Sequence, residues 1–234
     1  MQTPVSLFSS ATTAAAATAP NAEAAPQSSQ ADAPVDHMAA PQPAGSIAAL
    51  SQEAADCRLC SLCETRRQVV FGSGNPHADL LLIGEAPGQE EDRQGEPFVG
   101  RAGQLLDGML RALQLQRDDV YIMNTIKCRP PNNRDPQPDE LEACHHWLAQ
   151  QLALLQPKVI CLLGRVAART LLQQDARLAD LRGCWHDYHG IPTLVTYHPA
   201  YLLRTPRDKS RSWQDLQMLV GRLNSASAAA QHTA

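Results

Sequence analysis

The chain has 234 residues, of which 19% are charged, and a formal net charge of −4, so it is long enough for one domain of ordinary size and a tail. It contains no run of 18 apolar residues, which argues against a membrane span, and no basic start followed by an apolar run, which argues against a secretory signal. We therefore expect a cytoplasmic protein.

Residues 1–45 differ in composition from the rest of the chain. They contain no Lys or Arg and are dominated by Ala, Pro, Ser, Thr and Gln, and such a segment cannot bury enough apolar surface to offset the entropy of ordering. We predict a disordered tail at 1–45, a globular domain at 46–224 and a second disordered tail at 225–234.

The charge of the predicted domain is nearly balanced, with 20 basic and 21 acidic residues outside the first tail. A generic nucleic-acid-binding protein would show a strong basic excess, so any such surface must be local. Two loops carry the candidate basic side chains, although solvated loop charge is the alternative for both: Lys127, Arg129 and Arg134 in the first, and Arg204, Arg207, Lys209 and Arg211 in the second.

The predicted elements alternate between helices and strands. In chain order the patterns predict a helix at 47–57, an edge strand at 69–71, a buried strand at 79–83, a helix at 101–113, a strand at 120–123, a helix at 138–155, a strand at 159–163, a helix ending at 172, a strand at 191–196 and a last helix at 212–223. This alternation is typical of an α/β fold. We predict a central four-stranded parallel sheet with helices on both faces.

An acidic loop at 84–100 follows the first buried strand and carries four carboxylates within eight residues: Glu85, Glu90, Glu91 and Asp92. In open α/β sheets, ligands bind outside the carboxyl ends of strands, which is where this loop begins. An acidic surface turn is the alternative, but several Gly and Pro residues restrict the path of the chain. Phe98 lies in the same loop, where it is suited either to closing a small core or to stacking on a flat ligand.

The seven cysteines lie at positions 57, 60, 63, 128, 144, 161 and 184. In a cytosolic chain, clustered cysteines indicate a metal rather than disulfides. Cys57 and Cys60 form a CxxC pair, and Cys63 follows at the same interval. With Cys128 and Cys144, four thiolates from two segments suit zinc and an iron–sulfur cluster equally well by count. We read Cys161, inside an apolar strand, as a small buried hydrophobe, and Cys184 has no assigned partner.

Asn124 and His198 each follow a predicted strand, so the acidic loop, Asn124 and His198 should converge at one edge of the sheet. An asparagine amide can read the polar edge of a pyrimidine, although a lone Asn after a strand is often a turn or cap residue, and a His before Pro is often structural. Together with Phe98 they predict a pocket for a base.

Four segments carry a resemblance to a known family: GEAPGQEED, GEPFVGRAG, NTIKCRPPNNRDP and HPAYLLR. In this order and spacing they resemble the motifs of the family 4 uracil-DNA glycosylases, which carry a [4Fe–4S] cluster. The similarity covers residues 57 to about 223. It implies an α/β fold of the uracil-DNA glycosylase type and removal of uracil from single- and double-stranded DNA by hydrolysis of the bond between base and sugar.

The resemblance also implies roles for individual residues. Cys57, Cys60, Cys128 and Cys144 would hold the cluster and leave Cys63 free.

In the pocket, Glu85 occupies the catalytic-motif position, where it would orient water or stabilise a cationic sugar. Ala86 would offer a backbone N–H to the base, Phe98 would stack on it, Asn124 would bind its edge, and His198 would face O2. By a looser analogy, Leu202 or Leu203 would fill the space left by the flipped base, with Arg204 near a phosphate.

Three alternatives stay open on the sequence. The first is a related protein that becomes covalently trapped on uracil in single-stranded DNA; its family carries a basic insertion before the helix at 101–113, which is missing here. The second is a non-catalytic DNA-binding module retained for its cluster, and the third is a zinc protein. We expect a monomer that acts on uracil-containing DNA.

Overall fold

The computed structural model of the chain describes residues 45–231, with side chains described as far as residue 225. The tail predicted at 1–45 lies almost entirely outside the described residues, so its disorder stays a prediction. No helix in the described part of the chain is long and apolar enough to cross a membrane.

A six-stranded sheet forms the centre of the domain, in the order β1-β3-β2-β4-β6-β5. The four inner strands are parallel and the two outer strands are antiparallel to their neighbours. The strands are β1 (Ser73–Gly74), β2 (Leu80–Gly84), β3 (Val120–Asn124), β4 (Val159–Leu163), β5 (Trp185–Tyr188) and β6 (Ile191–Thr196). The four predicted parallel strands are confirmed, but the predicted sheet lacked its two antiparallel edges.

The edge strand predicted at 69–71 was wrong. Val70 and Phe71 are buried, at 0% and 5% exposed, but Val70 bonds through its N–H to the carbonyl of Lys127, outside the sheet. Apolar character at this point reflects burial in a separate small core rather than strand pairing. The outermost strand β5 was missed because it has only four residues and no alternating apolar pattern; it forms a hairpin with β6 through His189 and Gly190, both at positive φ.

Eight helices surround the sheet in the described residues: α1 (Ile47–Ala55), α2 (Gln89–Gln94), α3 (Arg101–Ala112), α4 (Pro138–Leu155), α5 (Arg165–Leu172), α6 (Leu178–Leu181), α7 (Pro199–Arg204) and α8 (Lys209–Gln231). Helix α8 begins before the predicted 212 and continues past the predicted domain end at 224. Helices α2, α6 and α7 were not predicted, because each is too short to show a helical apolar repeat.

Both faces of the sheet are covered, as predicted. Alternate residues of β2 point to opposite faces: Leu81 and Ile83 pack with apolar residues of α4, α5 and α6, whereas Leu80 and Leu82 pack with α3 and α8. This two-sided burial explains the continuous apolar runs of the inner strands. Cys161 is 0% exposed in the second of these cores, in line with its reading as a buried hydrophobe.

A third, smaller core joins α1 to α4 and contains four of the cysteines. Leu50 and Ala54 of α1 pack there with Trp147 of α4 and with Ile126, which follows β3. The small core therefore lies beside the carboxyl end of β3, next to the sheet edge where the polar strand ends meet.

Candidate active site

Five residues predicted to form a base pocket line one cavity at the carboxyl edge of the parallel strands: Glu85, Ala86, Phe98, Asn124 and His198. The strand register brings them together. Gly84 at the end of β2 pairs with Asn124 at the end of β3, and Thr196 at the end of β6 pairs with Leu163 of the intervening β4. The loops that follow β2 and β6 therefore open on the same side as Asn124.

Asn124 forms the floor of the cavity and is 1% exposed. Its Oδ1 is buried and has no hydrogen-bond partner among the described residues, which is unusual for a buried polar atom. A Cβ on Gly84 would come within 2.4 Å of this oxygen and within 2.6 Å of the Phe98 ring, so only glycine fits there. The amide therefore offers an unpaired acceptor beside an aromatic ring.

Hydrogen bonds from the turn after Asn124 connect this part of the cavity to the acidic loop. Thr125 donates from its N–H to the carbonyl of Gly84 (3.0 Å) and from its hydroxyl to the carbonyl of Glu85 (2.6 Å). The backbone at Glu85 is thereby fixed relative to Asn124, although sequence reasoning assigned no role to Thr125.

Phe98 adopts a left-handed backbone conformation with φ 56°, which is rare for a bulky residue and costs about 1–3 kcal/mol. Arg117 holds it there by donating to the carbonyls of Pro97 (3.1 Å) and Phe98, and Asp107 of α3 fixes the guanidinium at 2.8 Å. The Phe98 ring is 4% exposed and lies 5.5 Å from the His198 ring at an interplanar angle of 32°. No sequence pattern pointed to Arg117.

His198 caps the N-terminus of α7 with its ring. Its Nδ1 accepts a hydrogen bond from the N–H of Ala200 at 3.1 Å, so the proton of the neutral ring resides on Nε2. Burial, with a smaller contribution from Arg204, lowers the pKa of His198 to about 4. The imidazole is therefore neutral at pH 7 and has an N–H donor left for a ligand. Gly164, at φ 94°, lets the ring approach, because a Cβ there would lie 2.8 Å from the His198 Cβ.

Four of the carboxylates of the acidic loop, Glu85, Glu90, Glu91 and Asp92, do not act together. Glu90 pairs with Arg93 on the surface, Asp92 accepts the N–H of Arg67, and Glu91 accepts the N–H groups of Val99 and Gly100.

Glu85 differs from the other three. Its carboxylate accepts no hydrogen bond from the described residues and faces the cavity. Burial, strengthened by the charge of Asp135 and opposed by that of Arg165, raises the pKa of Glu85 to about 7.

The rim of the cavity includes residues that the sequence did not single out, among them Asn133, Asp135 and Tyr201. Arg204, predicted to lie near a phosphate, is exposed on this rim. Leu202 is 1% exposed and packs inside the protein, whereas Leu203 is 37% exposed. Of the two predicted wedge residues, Leu202 is therefore a core residue and Leu203 alone is accessible to DNA.

A second, smaller cavity is lined by Cys57, Cys60, Cys128 and Cys144. Cys63 lies outside it, in a neighbouring depression. Cys184 is exposed, and its sulfur lies 3.5 Å from Nε2 of His186.

Nitrogen donors contact three of the four sulfurs. Trp147 Nε1 lies 3.2 Å from the Cys57 sulfur, Arg66 donates to Cys128 at 3.2 Å, and the N–H of Lys127 donates to Cys144 at 3.3 Å. Such donors stabilise thiolates and are typical of metal and cluster sites. Burial raises the pKa of Cys128 to about 12 and that of Cys144 to about 11.

Lys127 lines the cavity of the four cysteines and is buried, with 1% of its surface exposed. Burial lowers its pKa to about 8, and the neighbouring Cys144 and Cys128 oppose this shift. The sequence marked this lysine only as part of a basic loop, and its burial removes it from any DNA-facing surface.

Comparisons with known proteins agree with this geometry. Residues 71–217 match the family model described as the uracil DNA glycosylase superfamily. The chain is 40% identical to a type-4 uracil-DNA glycosylase of Archaeoglobus fulgidus, over 72% of this chain and 88% of the relative, and 42% identical to one of Thermotoga maritima, over 69% and 85%. It is 34% identical to a type-5 uracil-DNA glycosylase of Thermus thermophilus, over 61% and 81%. The resemblance of the four sequence motifs is thus confirmed, and the chain belongs to the type-4 uracil-DNA glycosylases of the uracil-DNA glycosylase superfamily.

Proposed function

We propose that this protein removes uracil from DNA by hydrolysing the N-glycosidic bond of deoxyuridine, which releases free uracil and leaves an abasic site, the first step of base-excision repair. One observation carries the proposal: the unpartnered, buried Oδ1 of Asn124 faces a cavity that also holds an aromatic ring and a neutral histidine. A flat base with an N–H at its polar edge satisfies this oxygen.

Base recognition follows from the floor of the cavity. Asn124 accepts from N3–H of uracil through Oδ1 and donates to O4 through its amide nitrogen. Cytosine presents an acceptor at position 3 and a donor at position 4, so the same amide opposes it. Phe98 stacks on the base, and the backbone N–H of Ala86 binds its edge from the acidic loop.

His198 stabilises the leaving group. As the glycosidic bond breaks, negative charge accumulates on the uracil ring and its O2. A neutral imidazole that donates from Nε2 strengthens its hydrogen bond as this charge develops, and one such donor contributes about 3 kcal/mol to lowering the barrier. The Nδ1 contact with Ala200 supports this role because it fixes both the tautomer and the ring orientation.

Glu85 serves the sugar side of the reaction. Loss of the base leaves an oxocarbenium-like sugar, and a carboxylate at this point stabilises the cation or orients the attacking water. Either role requires the ionised form, which Glu85 reaches only near neutral pH because its pKa is raised to about 7.

The DNA substrate is single- or double-stranded, and the target base must leave the duplex stack, at a cost of a few kcal/mol. Leu203 is the exposed apolar side chain next to the cavity and fills the vacated space. Arg204 binds a phosphate, and Arg207 and Arg211 extend the basic surface along a neighbouring cleft that shares Tyr201 with the base cavity. We propose a cytoplasmic monomer.

We propose a [4Fe–4S] cluster held by Cys57, Cys60, Cys128 and Cys144. The four thiols line one cavity, although no three His, Cys, Asp or Glu side chains among the described residues converge closely enough to hold one metal ion. Four thiolates suit zinc and a cluster equally by count, and the resemblance of the motifs to the iron–sulfur glycosylases favours the cluster. The cluster serves structure: its ligands join the segment before β1 to the loop after β3 and to α4, and so hold the Lys127–Arg134 loop in shape.

The proposal is tested with cluster-loaded protein and a labelled oligonucleotide containing one uracil, followed by alkali. Strand cleavage at the uracil is expected, with free uracil released. Intact DNA from fully loaded protein would support a non-catalytic binding module instead, and a covalent adduct that survives denaturation would support the trapped type of protein. An absorption band near 400 nm distinguishes the cluster from zinc.

A further inference from the structure

Lys127 has the largest fully buried side chain in the described part of the chain. Burying an ammonium group is costly unless an opposite charge and hydrogen-bond acceptors accompany it. Lys127 lines the cavity of the four cysteines, together with Cys128 and Cys144. Thiolates that ligate a cluster there would supply the opposite charge.

The same ammonium contacts a residue that lines the base cavity. Nζ donates to the main-chain carbonyl of Asn124 at 2.8 Å, and it lies 5.8 Å from the centre of the Phe71 ring. The main-chain N–H of Lys127 donates to the Cys144 sulfur at 3.3 Å. One residue therefore contacts both a proposed cluster ligand and the residue that forms the floor of the base cavity.

We infer that Lys127 is a positioning residue that links the cysteine centre to Asn124 and holds the Asn124 amide in the orientation that binds the edge of the base. This inference rests on the proposed function. Thr125 ties the neighbouring turn to the acidic loop, and Lys127 binds the Asn124 carbonyl itself. An Asn124 held at both its own carbonyl and the following residue presents Oδ1 in one orientation.

Through Lys127, a bound cluster would affect how the cavity binds the base. Four thiolates ligating a cluster keep negative charge beside the buried ammonium, and that charge keeps the ammonium at the Asn124 carbonyl. Removing either the lysine charge or the cluster should then make the orientation of Asn124 less fixed. Neither change removes a direct contact with the base.

The test is the affinity of cluster-loaded protein for free uracil, measured by calorimetry for the wild type and for Lys127→Met. Free uracil makes no backbone contact to DNA, so it reports on the base cavity alone. We expect its dissociation constant to rise about 10-fold or more in the variant, as for the loss of one hydrogen bond to a charged group. Binding to uracil-free DNA should be unchanged.

Lys158→Met is the matched control, because Lys158 is half exposed and pairs with Asp79 on the surface. It should bind uracil as the wild type does. Wild-type uracil affinity in loaded Lys127→Met would overturn the inference. If the Met variant does not fold, Lys127→Gln replaces it, since its shorter side chain ends before the Asn124 carbonyl; the same loss is expected, and wild-type affinity would again overturn the inference.

Chelation of iron from the wild type gives a second readout. We expect uracil affinity to fall by a similar factor, and to fall little further when iron is removed from Lys127→Met, because both changes act through one contact. Full additivity of the two losses would contradict the coupling. The proposed function is tested separately on the wild type. Failure of the loaded wild type to bind or excise uracil would contradict the proposed function.

Discussion

The guanidinium of Arg117 donates to the carbonyl of Phe98 and thereby holds a bulky residue in a left-handed conformation. Arg117 lies in the turn before β3, far along the sequence from the loop it supports, and Asp107 of α3 orients it. The stacking ring of the proposed base pocket is therefore positioned by two charged residues that touch no ligand.

Replacing Arg117 with Met should release the Phe98 loop. Without the two carbonyl contacts the loop relaxes toward more favourable backbone angles and the ring leaves its place opposite His198. We expect kcat/KM for uracil-containing DNA to fall about 10- to 100-fold, mainly through KM, as for the loss of hydrogen bonds to a charged group. Arg111→Met on exposed α3 surface is the control, and an unchanged KM in Arg117→Met would show that Phe98 holds its own conformation.

Asn124→Ala tests the reading of the base edge. Because the amide is the buried polar group at the floor of the cavity, its loss should reduce kcat/KM about 30- to 1,000-fold, corresponding to about 2–4 kcal/mol. Steady-state excision assays provide the measurement, with Asn133→Ala on the exposed rim as control. A protein that merely binds DNA would lose little affinity for the same oligonucleotide in either variant.

The pH dependence of kcat/KM should show one rise, centred near pH 7. Glu85 must be ionised to act, and burial raises its pKa to about 7; His198, with a pKa of about 4, stays neutral above pH 5 and adds no second inflection. Asp135→Asn removes a neighbouring negative charge and should move the midpoint to lower pH. A midpoint that does not move would assign the inflection to another group.

The raised pKa of Glu85 should also make the stability of the folded protein depend on pH. Its pKa in the folded protein lies above that of the unfolded chain, so the native state binds more protons between about pH 4.5 and 7 and loses stability as pH rises through this window. Glu85→Gln removes this penalty. The melting temperature of the variant should exceed that of the wild type by more at pH 8 than at pH 5, and a constant difference would contradict the raised pKa.

Much of the fold could be predicted because the inner strands are buried on both faces and therefore read as apolar runs. The edge strands could not be predicted: β5 has four residues without an alternating apolar pattern, and β1 contains only Ser73 and Gly74. In the site, the pocket residues at strand ends were predicted from topology and motif. Arg117 and Lys127 were missed as supports because their roles depend on backbone carbonyls and burial, which leave no pattern in the sequence.

Cys63 should not be a ligand of the cluster. Cys128 and Cys144 are buried and line one cavity with Cys57 and Cys60, whereas Cys63 lies outside that cavity. Cys63→Ser should therefore retain the iron content and the absorption near 400 nm of the wild type.

Cys128→Ser, measured beside it, should lose the cluster and much of its thermal stability, because α1, the loop after β3 and α4 would no longer share a common centre. If Cys63→Ser loses iron while Cys128→Ser keeps it, the proposed ligand set is wrong. Loss in both variants would mean that Cys63 supports the site from outside the cavity. A third variant, Cys184→Ser at an exposed thiol that does not line the cavity, controls for nonspecific effects of replacing a thiol.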